Sequence, residues 1–235
     1  MLCALYLSSF FVGGNGIDNR PWHLQPWGYE NELPQSYGRY PVDKDSCPQK
    51  MGGRGTVIIL VDAWGLPLDT SELNKDLAAL GNGIKKVAIA GRKRNYTKEV
   101  ERAVLKNCST GGMFLFGGDS LEYDRKSYIP ELGFRQSIFC GNCSDQVMAL
   151  KLDSLLSAVQ HRAFFAWTTR SSREGNREEL RKSLSLIGNL AGRHPDFRFV
   201  IQGTHRPILG LPETRDAYYA RWVPVVEMGF EEKVW

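Results

Sequence analysis

What this chain lacks narrows it first. No phosphate-binding glycine loop of the GxGxxG or GxxxxGK[ST] kind follows a strand-like segment. Gly111-Gly112 and Gly117-Gly118 satisfy neither pattern, which argues against an enzyme that uses nucleotide sugars. No run of Lys and Arg is interleaved with aromatics. Lys85-Lys86 and Arg92-Lys93-Arg94 are too short to make a basic tract, and the net charge of +4 is mild. No nucleic acid partner is therefore expected, while an anionic ligand or an acidic surface suits the balance. Cysteine is sparse, with 5 in all, and Cys140-Gly-Asn-Cys143 is a lone CxxC where a zinc ribbon needs two. The cysteines are expected to pair as disulfides or to stay buried. Asn95, Asn107 and Asn142 open glycosylation sequons, a pattern too common to carry weight. Long apolar runs are also missing. Met1 to Val12 is apolar, but a bilayer-spanning helix needs about 20 such residues and a signal peptide needs a basic start. A residual membrane segment, a weak signal peptide and a buried strand all stand open for it.

What is present suits one globular domain. The 235 residues can bury a sizeable core, and 42% hydrophobic with 24% charged residues is ordinary for such a chain. Residues 1–55 are expected to form an extended lead-in, rich in Gly, Pro, Trp and Tyr, with a domain over 56–235. The hydrophobic pattern predicts strands at 56–61, 87–90, 113–116, 137–139, 163–168, 197–202 and 222–226. Helices are predicted at 69–80, capped by Thr70 or Ser71, and at 97–108, capped by Asn95 or Thr97. Further helical segments are predicted at 128–132, 145–159 and 177–193, that over 145–159 with an apolar stripe of Val147, Leu150, Leu152, Leu155 and Val159. Strands alternating with helices mean an α/β fold, a mostly parallel central sheet with helices on both faces.

Two strand ends carry the chemistry. Thr56-Val-Ile-Ile-Leu-Val61 runs into Asp62, and Phe197-Arg-Phe-Val-Ile-Gln202 runs into Gly203-Thr204-His205. If these strands are parallel neighbours, Asp62 and His205 meet at one carboxyl edge, where open α/β sheets bind ligands. Plainer readings stand beside this one. Asp62 could cap the following turn, His205 could be a hydrogen-bonded core histidine, and Thr97 could be only a helix cap. Asp119 reads as a turn residue and Asp145 as a first-turn acid. His23, His161 and His194 show no partner spacing that suggests ligands.

The order of motifs resembles the alkaline phosphatase/sulfatase superfamily, and within it the sulfatase-like branch of lipoteichoic acid synthase and the phosphoethanolamine transferases. The resemblance covers about residues 56–227. Val57-Ile-Ile-Leu-Val-Asp62-Ala-Trp-Gly is similar to the family's first strand with its acidic metal ligand, and Tyr96-Thr97-Lys-Glu-Val-Glu101-Arg102 to the start of its nucleophile helix. Phe114-Leu-Phe-Gly-Gly-Asp-Ser, Leu132-Gly-Phe134 and Gly141-Asn-Cys-Ser144-Asp145 resemble the segments that follow. Phe164-Phe-Ala-Trp-Thr-Thr169, Phe199-Val-Ile-Gln-Gly-Thr-His205-Arg-Pro and Trp222-Val-Pro224 resemble the strands of the "TTxxH", "GDHxP" and "VP" motifs.

The resemblance implies Thr97 as the nucleophile, with Asp62 and His205 as ligands of a divalent metal, zinc or manganese, and with Arg94, Arg102 and Arg206 holding the substrate. It implies a hydrolase or transferase acting on phosphate, phosphodiester or sulfate esters of an envelope glycan or lipid. It also implies an extracytoplasmic place in the cell envelope, with membrane association through the N-terminal segment. Two departures count against a full metal site. Thr204 stands where the family has Asp, and Ser172 where it has His, and neither hydroxyl is a good ligand. The chain is also short for the superfamily. A catalytically degenerate fold that binds an anionic glycan or a partner protein is the alternative.

Overall fold

The structure is a computed structural model and describes residues 34–42, 53–92, 96–106, 111–119, 121–170, 176–208 and 212–230. By its contacts the chain divides between Gln35 and Ser36, and the larger unit carries everything described below.

Seven strands form one sheet: β1 (Gly55–Val61), β2 (Ile84–Gly91), β3 (Met113–Phe116), β4 (Gln136–Phe139), β5 (Ala163–Thr168), β6 (Phe197–Gly203) and β7 (Trp222–Gly229). Their order is β2-β7-β6-β1-β5-β3-β4. Pairing is parallel from β6 through β4, while β7 is antiparallel to both β6 and β2. The helices are α1 (Thr70–Leu80), α2 (Thr97–Leu105), α3 (Arg125–Glu131), α4 (Asp145–Ala158), α5 (Arg177–Arg193) and the short α6 (Pro212–Asp216). This is the expected α/β architecture, with helices on both faces.

The sheet's two sides bury separate clusters because successive strand residues point to opposite faces. Val57, Ile59 and Val61 of β1 join Leu73, Leu152, Leu184 and Ile187 from α1, α4 and α5. Ile58 and Leu60 join Val100, Val104, Tyr128 and Ile129 from α2 and α3. The central strand β1 is buried along its whole length, which is why it reads as a continuous apolar run rather than an alternating one. Helices α1 and α5 pack closely at Gly188, where a Cβ would collide with the Leu80 carbonyl oxygen.

Several local expectations need correction. The cap of α1 is Asp69, whose carboxylate accepts from the Ser71 N–H at 2.8 Å, so Thr70 is already helical. The N-cap of α2 is Tyr96, with no side-chain capping bond, and Thr97 opens the helix. The buried face of α4 is Met148, Ala149, Leu152 and Leu156, while Val147 and Leu150 are exposed. A stripe drawn through Val147 and Leu150 fits the period nearly as well, and packing against α5 and β3 chooses the other one. Strand β2 also begins three residues earlier than the pattern shows, because Lys85 and Lys86 are exposed members of it. The apolar N-terminal stretch, most of the lead-in, Arg94 and Ser172 lie outside the described residues.

Candidate active site

Strands β1 and β6 are adjacent and parallel, with Leu60 opposite Gln202 and Val61 opposite Gly203. Asp62 and His205 therefore leave the sheet side by side at its carboxyl edge. Gly203 is needed for this closeness, since a Cβ there would strike the Trp64 carbonyl oxygen. Just beyond Asp62, Ala63 takes a left-handed backbone, φ 55°, which an L-residue adopts at a cost of about 1 kcal/mol or more. Two threonine hydroxyls hold this turn. The N–H of Asp62 donates to Thr169 Oγ1 and the N–H of Ala63 to Thr204 Oγ1, each at 3.1 Å.

Over the same edge sits the first residue of α2. Thr97 Oγ1 donates to Asp62 Oδ1 at 2.7 Å and lies 3.1 Å from His205 Nε2. Asp62 Oδ1 and His205 Nε2 are themselves 3.4 Å apart. All three residues are at least nine-tenths buried. No side chain caps α2; the Glu99 N–H is taken by the Tyr96 carbonyl at 3.0 Å, while the Thr97 and Lys98 N–H groups and the positive dipole end make an arrangement suited to anions.

The imidazole is oriented by its other nitrogen, because His205 Nδ1 is 2.6 Å from the Arg206 carbonyl and donates to it. Nε2 then faces Thr97 Oγ1 and Asp62 Oδ1, and in the neutral imidazole it is left as an acceptor. Nε2 and Asp62 Oδ1, 3.4 Å apart, are bridged by a proton on Nε2 or by a bound cation. A histidine whose far N–H rests on a backbone carbonyl is also the usual posture of a metal ligand. A tetrahedral zinc ion with ligands at about 2.0–2.1 Å places those ligands about 3.3 Å apart, which matches the 3.4 Å between Asp62 Oδ1 and His205 Nε2 but not the 2.7 Å hydrogen bond from Thr97 to Asp62. Asp62 and His205 supply two donors of the kind that hold a divalent ion, one short of the three protein ligands of a catalytic zinc site, with the Thr97 hydroxyl beside them. Among the described residues no group of three His, Cys, Asp or Glu side chains could hold a metal. Thr204 Oγ1, in the position of the missing acid, lies 3.3 Å from Asp62 Oδ1.

Behind Thr97 lies a polar cluster that the motif reading overlooked. Glu101, one turn along α2, is fully buried and accepts from Arg125 Nη2 at 2.8 Å, from Thr168 Oγ1 at 2.7 Å, and from the Tyr128 hydroxyl. The Arg125 guanidinium, also fully buried, stacks 3.6 Å over the Phe116 ring. Burial and then the Glu101 carboxylate push the Tyr128 phenol well above its ordinary range, so it acts as a donor. This cluster ties α2 to β5 and α3 and so fixes the height of Thr97 over the sheet.

Of the expected substrate arginines, Arg102 reaches Glu131 of α3 at 3.6 Å and lies over the Tyr128 ring. Arg206 contributes its carbonyl to His205, and Arg94 is outside the described residues. Asp119 is a turn residue as expected, accepting from the Leu121 N–H. Asp145 does more than favour a helix dipole, because its two oxygens accept from the Arg170 N–H and the Ser183 hydroxyl. His194 pairs with Asp153 at 2.7 Å, away from the site. Cys140 and Cys143 form a disulfide.

Comparison with known proteins places the fold. No protein-family model and no curated protein sequence matches the chain. Among solved structures it is similar to the lipoteichoic acid synthase LtaP of Listeria monocytogenes (TM-score 0.54, 11% identity, covering 80% of this chain and 69% of that one). It is similar to an alkaline phosphatase superfamily protein of Vibrio parahaemolyticus (TM-score 0.54, 14% identity, 78% and 62%). It is also similar to the zinc complex of the C-terminal periplasmic domain of EcEptC from Escherichia coli (TM-score 0.51, 9% identity, 81% and 76%). The chain thus spans less than two thirds of the Vibrio protein and somewhat more of the other two. At these identities the likeness establishes an alkaline phosphatase-like fold.

Proposed function

We propose that the Asp62–Thr97–His205 corner, set in this alkaline phosphatase-like fold, hydrolyses or transfers an anionic ester with Thr97 as the nucleophile. The ester is a phosphate, phosphodiester or sulfate ester of an envelope glycan or lipid. The observation that carries the reading is the Thr97 hydroxyl at a helix start, within hydrogen-bond reach of both a buried carboxylate and an imidazole nitrogen. Structures of similar fold include a lipoteichoic acid synthase and a zinc-bound periplasmic domain, which supports an ester of that kind.

Asp62, His205 and the Thr97 oxygen are the atoms that would hold zinc or manganese, and the bound ion would lower the pKa of the hydroxyl and stabilise charge on the ester oxygens. The rest follows from the chain's own groups. The N–H groups that open α2 bind the ester's anionic oxygens and present phosphorus or sulfur to Thr97 Oγ1. Asp62 Oδ1 already accepts the hydroxyl proton and receives it as the new O–P or O–S bond forms. The leaving oxygen departs and takes a proton from solvent. In the second half a water or an acceptor hydroxyl attacks the covalent ester, and Thr97 Oγ1 leaves and recovers its proton. The Cys140–Cys143 disulfide supports an extracytoplasmic setting, where such bonds persist.

The test is hydrolysis of p-nitrophenyl phosphate, bis-p-nitrophenyl phosphate and p-nitrophenyl sulfate with Zn²⁺ or Mn²⁺ added, for the wild type and Thr97→Ala. Activity abolished by the substitution is the expected result, and the preferred ester names the reaction. Activity unchanged in Thr97→Ala overturns the nucleophile. A wild type inert with every ester and metal overturns catalysis and leaves the degenerate binding fold, for which Thr204 is the physical reason.

A further inference from the structure

Three consecutive residues at the end of β5 serve the site. Thr168 holds Glu101, and Thr169 Oγ1 holds the N–H of Asp62. The third, Arg170, was not among the residues that the motifs singled out. In the register of β1 with β5, Leu60 lies opposite Thr168, and just beyond it the Thr169 N–H donates to the Leu60 carbonyl and the Asp62 N–H to Thr169 Oγ1, so Arg170 follows at the same carboxyl edge as Asp62. On β5 the residues Phe164 and Ala166 face the α2–α3 side, and Thr168 reaches Glu101 on that side. The Arg170 guanidinium comes within 4.0 Å of Glu122, just before α3, and 3.1 Å of Asn142, just before α4, so it lies at the carboxyl edge between the two faces.

The way Arg170 is held suggests placement rather than packing. Its N–H donates to Asp145 Oδ1 at 3.0 Å, and Asp145 is itself buried and anchored by Ser183 at 2.7 Å. Its Nη1 donates to Asn142 Oδ1 at 3.1 Å, a neutral partner in the turn closed by the Cys140–Cys143 disulfide. Glu122 lies at the outer limit of an ion pair with the guanidinium, where a pair with exposed character contributes little to stability. A guanidinium has more N–H donors than these contacts use, and the side chain keeps 31% of its surface open. A fixed, partly open arginine at the same sheet edge as the nucleophile's acceptor is suited to a bidentate grip on phosphate or sulfate oxygens.

We propose that Arg170 binds an anionic oxygen of the ester held at Thr97, and that Asn142 and Asp145 are the positioning residues that aim it. The proposal rests on the reading of Thr97 as the nucleophile, and its test separates the two. Inorganic phosphate is titrated by calorimetry into wild type, Thr97→Ala, Arg170→Ala, Arg170→Lys and Asn142→Ala, each with Zn²⁺, alongside steady-state hydrolysis of the preferred p-nitrophenyl ester. Arg170→Ala is expected to weaken phosphate binding about tenfold or more, since charge-assisted bonds to the anion are lost. It should raise KM by a similar factor with a smaller change in kcat. Arg170→Lys should recover part of the affinity, and Asn142→Ala should fall between wild type and Arg170→Ala. A merely structural arginine would shift the melting temperature without this split or the lysine rescue. Phosphate bound by Arg170→Ala as tightly as by wild type overturns the proposal, whether or not the enzyme turns over. Phosphate bound normally with no ester hydrolysed, in wild type and Thr97→Ala alike, overturns the nucleophile and leaves the Arg170 comparison decisive. A wild type that neither binds phosphate nor hydrolyses an ester overturns both.

Discussion

The hydroxyl of Thr97 lies 2.7 Å from a carboxylate oxygen of Asp62, 35 residues earlier in the chain. Neither residue is placed by its neighbours in sequence. Asp62 is held by hydroxyls from two flanking strand ends, Thr169 and Thr204, and Thr97 by the buried Glu101 one turn further along its helix. An amide in place of the carboxylate keeps an acceptor for the Thr97 hydroxyl but cannot take its proton or ligate a cation as strongly. Asp62→Asn should keep the melting temperature within a few degrees and lower kcat/KM at least about a hundredfold. A variant of near-normal activity would remove Asp62 from the mechanism.

Thr204 makes a metal prediction. Its hydroxyl lies 3.3 Å from Asp62 Oδ1 and accepts the Ala63 N–H, so an aspartate there reaches the same corner and can keep the turn. Thr204→Asp adds a carboxylate to a site that otherwise has two such donors, Asp62 and His205. Its affinity for Zn²⁺, measured by calorimetry on the chelator-treated protein, should rise about tenfold or more, since stable sites use three or four strong ligands. Equal affinity in the two proteins would mean that zinc does not bind at Asp62 and His205.

Glu101 and Arg125 are each fully buried and joined at 2.8 Å. Breaking one side of such a pair leaves a buried charge unpaired, at a cost of about 3–5 kcal/mol. Glu101→Gln and Arg125→Met should each show that loss in urea unfolding. The double replacement Glu101→Leu with Arg125→Met should lose clearly less than the sum, because the two residues act as one unit. Additive losses would show that the pair is not coupled.

Most of this architecture is legible in the sequence because long-range packing and local pattern agree. Strands β1, β3 and β5 are apolar runs whose ends coincide with turn residues, and the buried face of α5 follows its 3.6-residue period. The meeting of Asp62 with His205 follows once β1 and β6 are taken as parallel neighbours. What the chain conceals depends on contacts remote in sequence. The Arg125–Glu101 pair spans 24 residues and links α2 with α3, and an arginine on a short helix looks like any surface arginine until its burial is seen. Arg170 gave a faint signal, a charged residue straight after a buried strand. The reversed direction of β7 left no mark, since a strand buried on both faces reads the same either way.

Acid should loosen the contact between α1 and α5 through Glu72. Hydrogen bonds from Lys75 and then Arg181, with Arg177 nearby, hold its carboxyl down to about 2, below the ordinary 4.5. A lowered folded-state pKa means stability that is present above 4.5 and is lost as pH falls toward 2. Asp76 works the other way, because burial raises its pKa and favours its neutral form, so its contribution declines as pH rises. Melting temperatures of Glu72→Gln should therefore depend less on pH than wild type across that acid window, while the two proteins keep a constant offset at neutral pH. Parallel curves through the acid window would show that Glu72 gains nothing from its partners.

The disulfide is expected to matter to binding more than to stability. Cys140 and Cys143 close a loop with a sequence separation of 3, and so short a loop removes little entropy from the unfolded chain. Its turn nonetheless makes contacts beside the site. The N–H groups of Gly141 and Cys143 donate to the Gly118 and Gly117 carbonyls, and Asn142 accepts from Arg170. Opening the turn frees Asn142 and with it the aim of the guanidinium, while the helices on either face stay packed. Cys140→Ser with Cys143→Ser should move the melting temperature by no more than a few degrees yet weaken phosphate binding several-fold, toward the value for Asn142→Ala. A large fall in melting temperature with unchanged phosphate affinity would make the disulfide a structural staple, and Arg170 would then owe its position to Asp145.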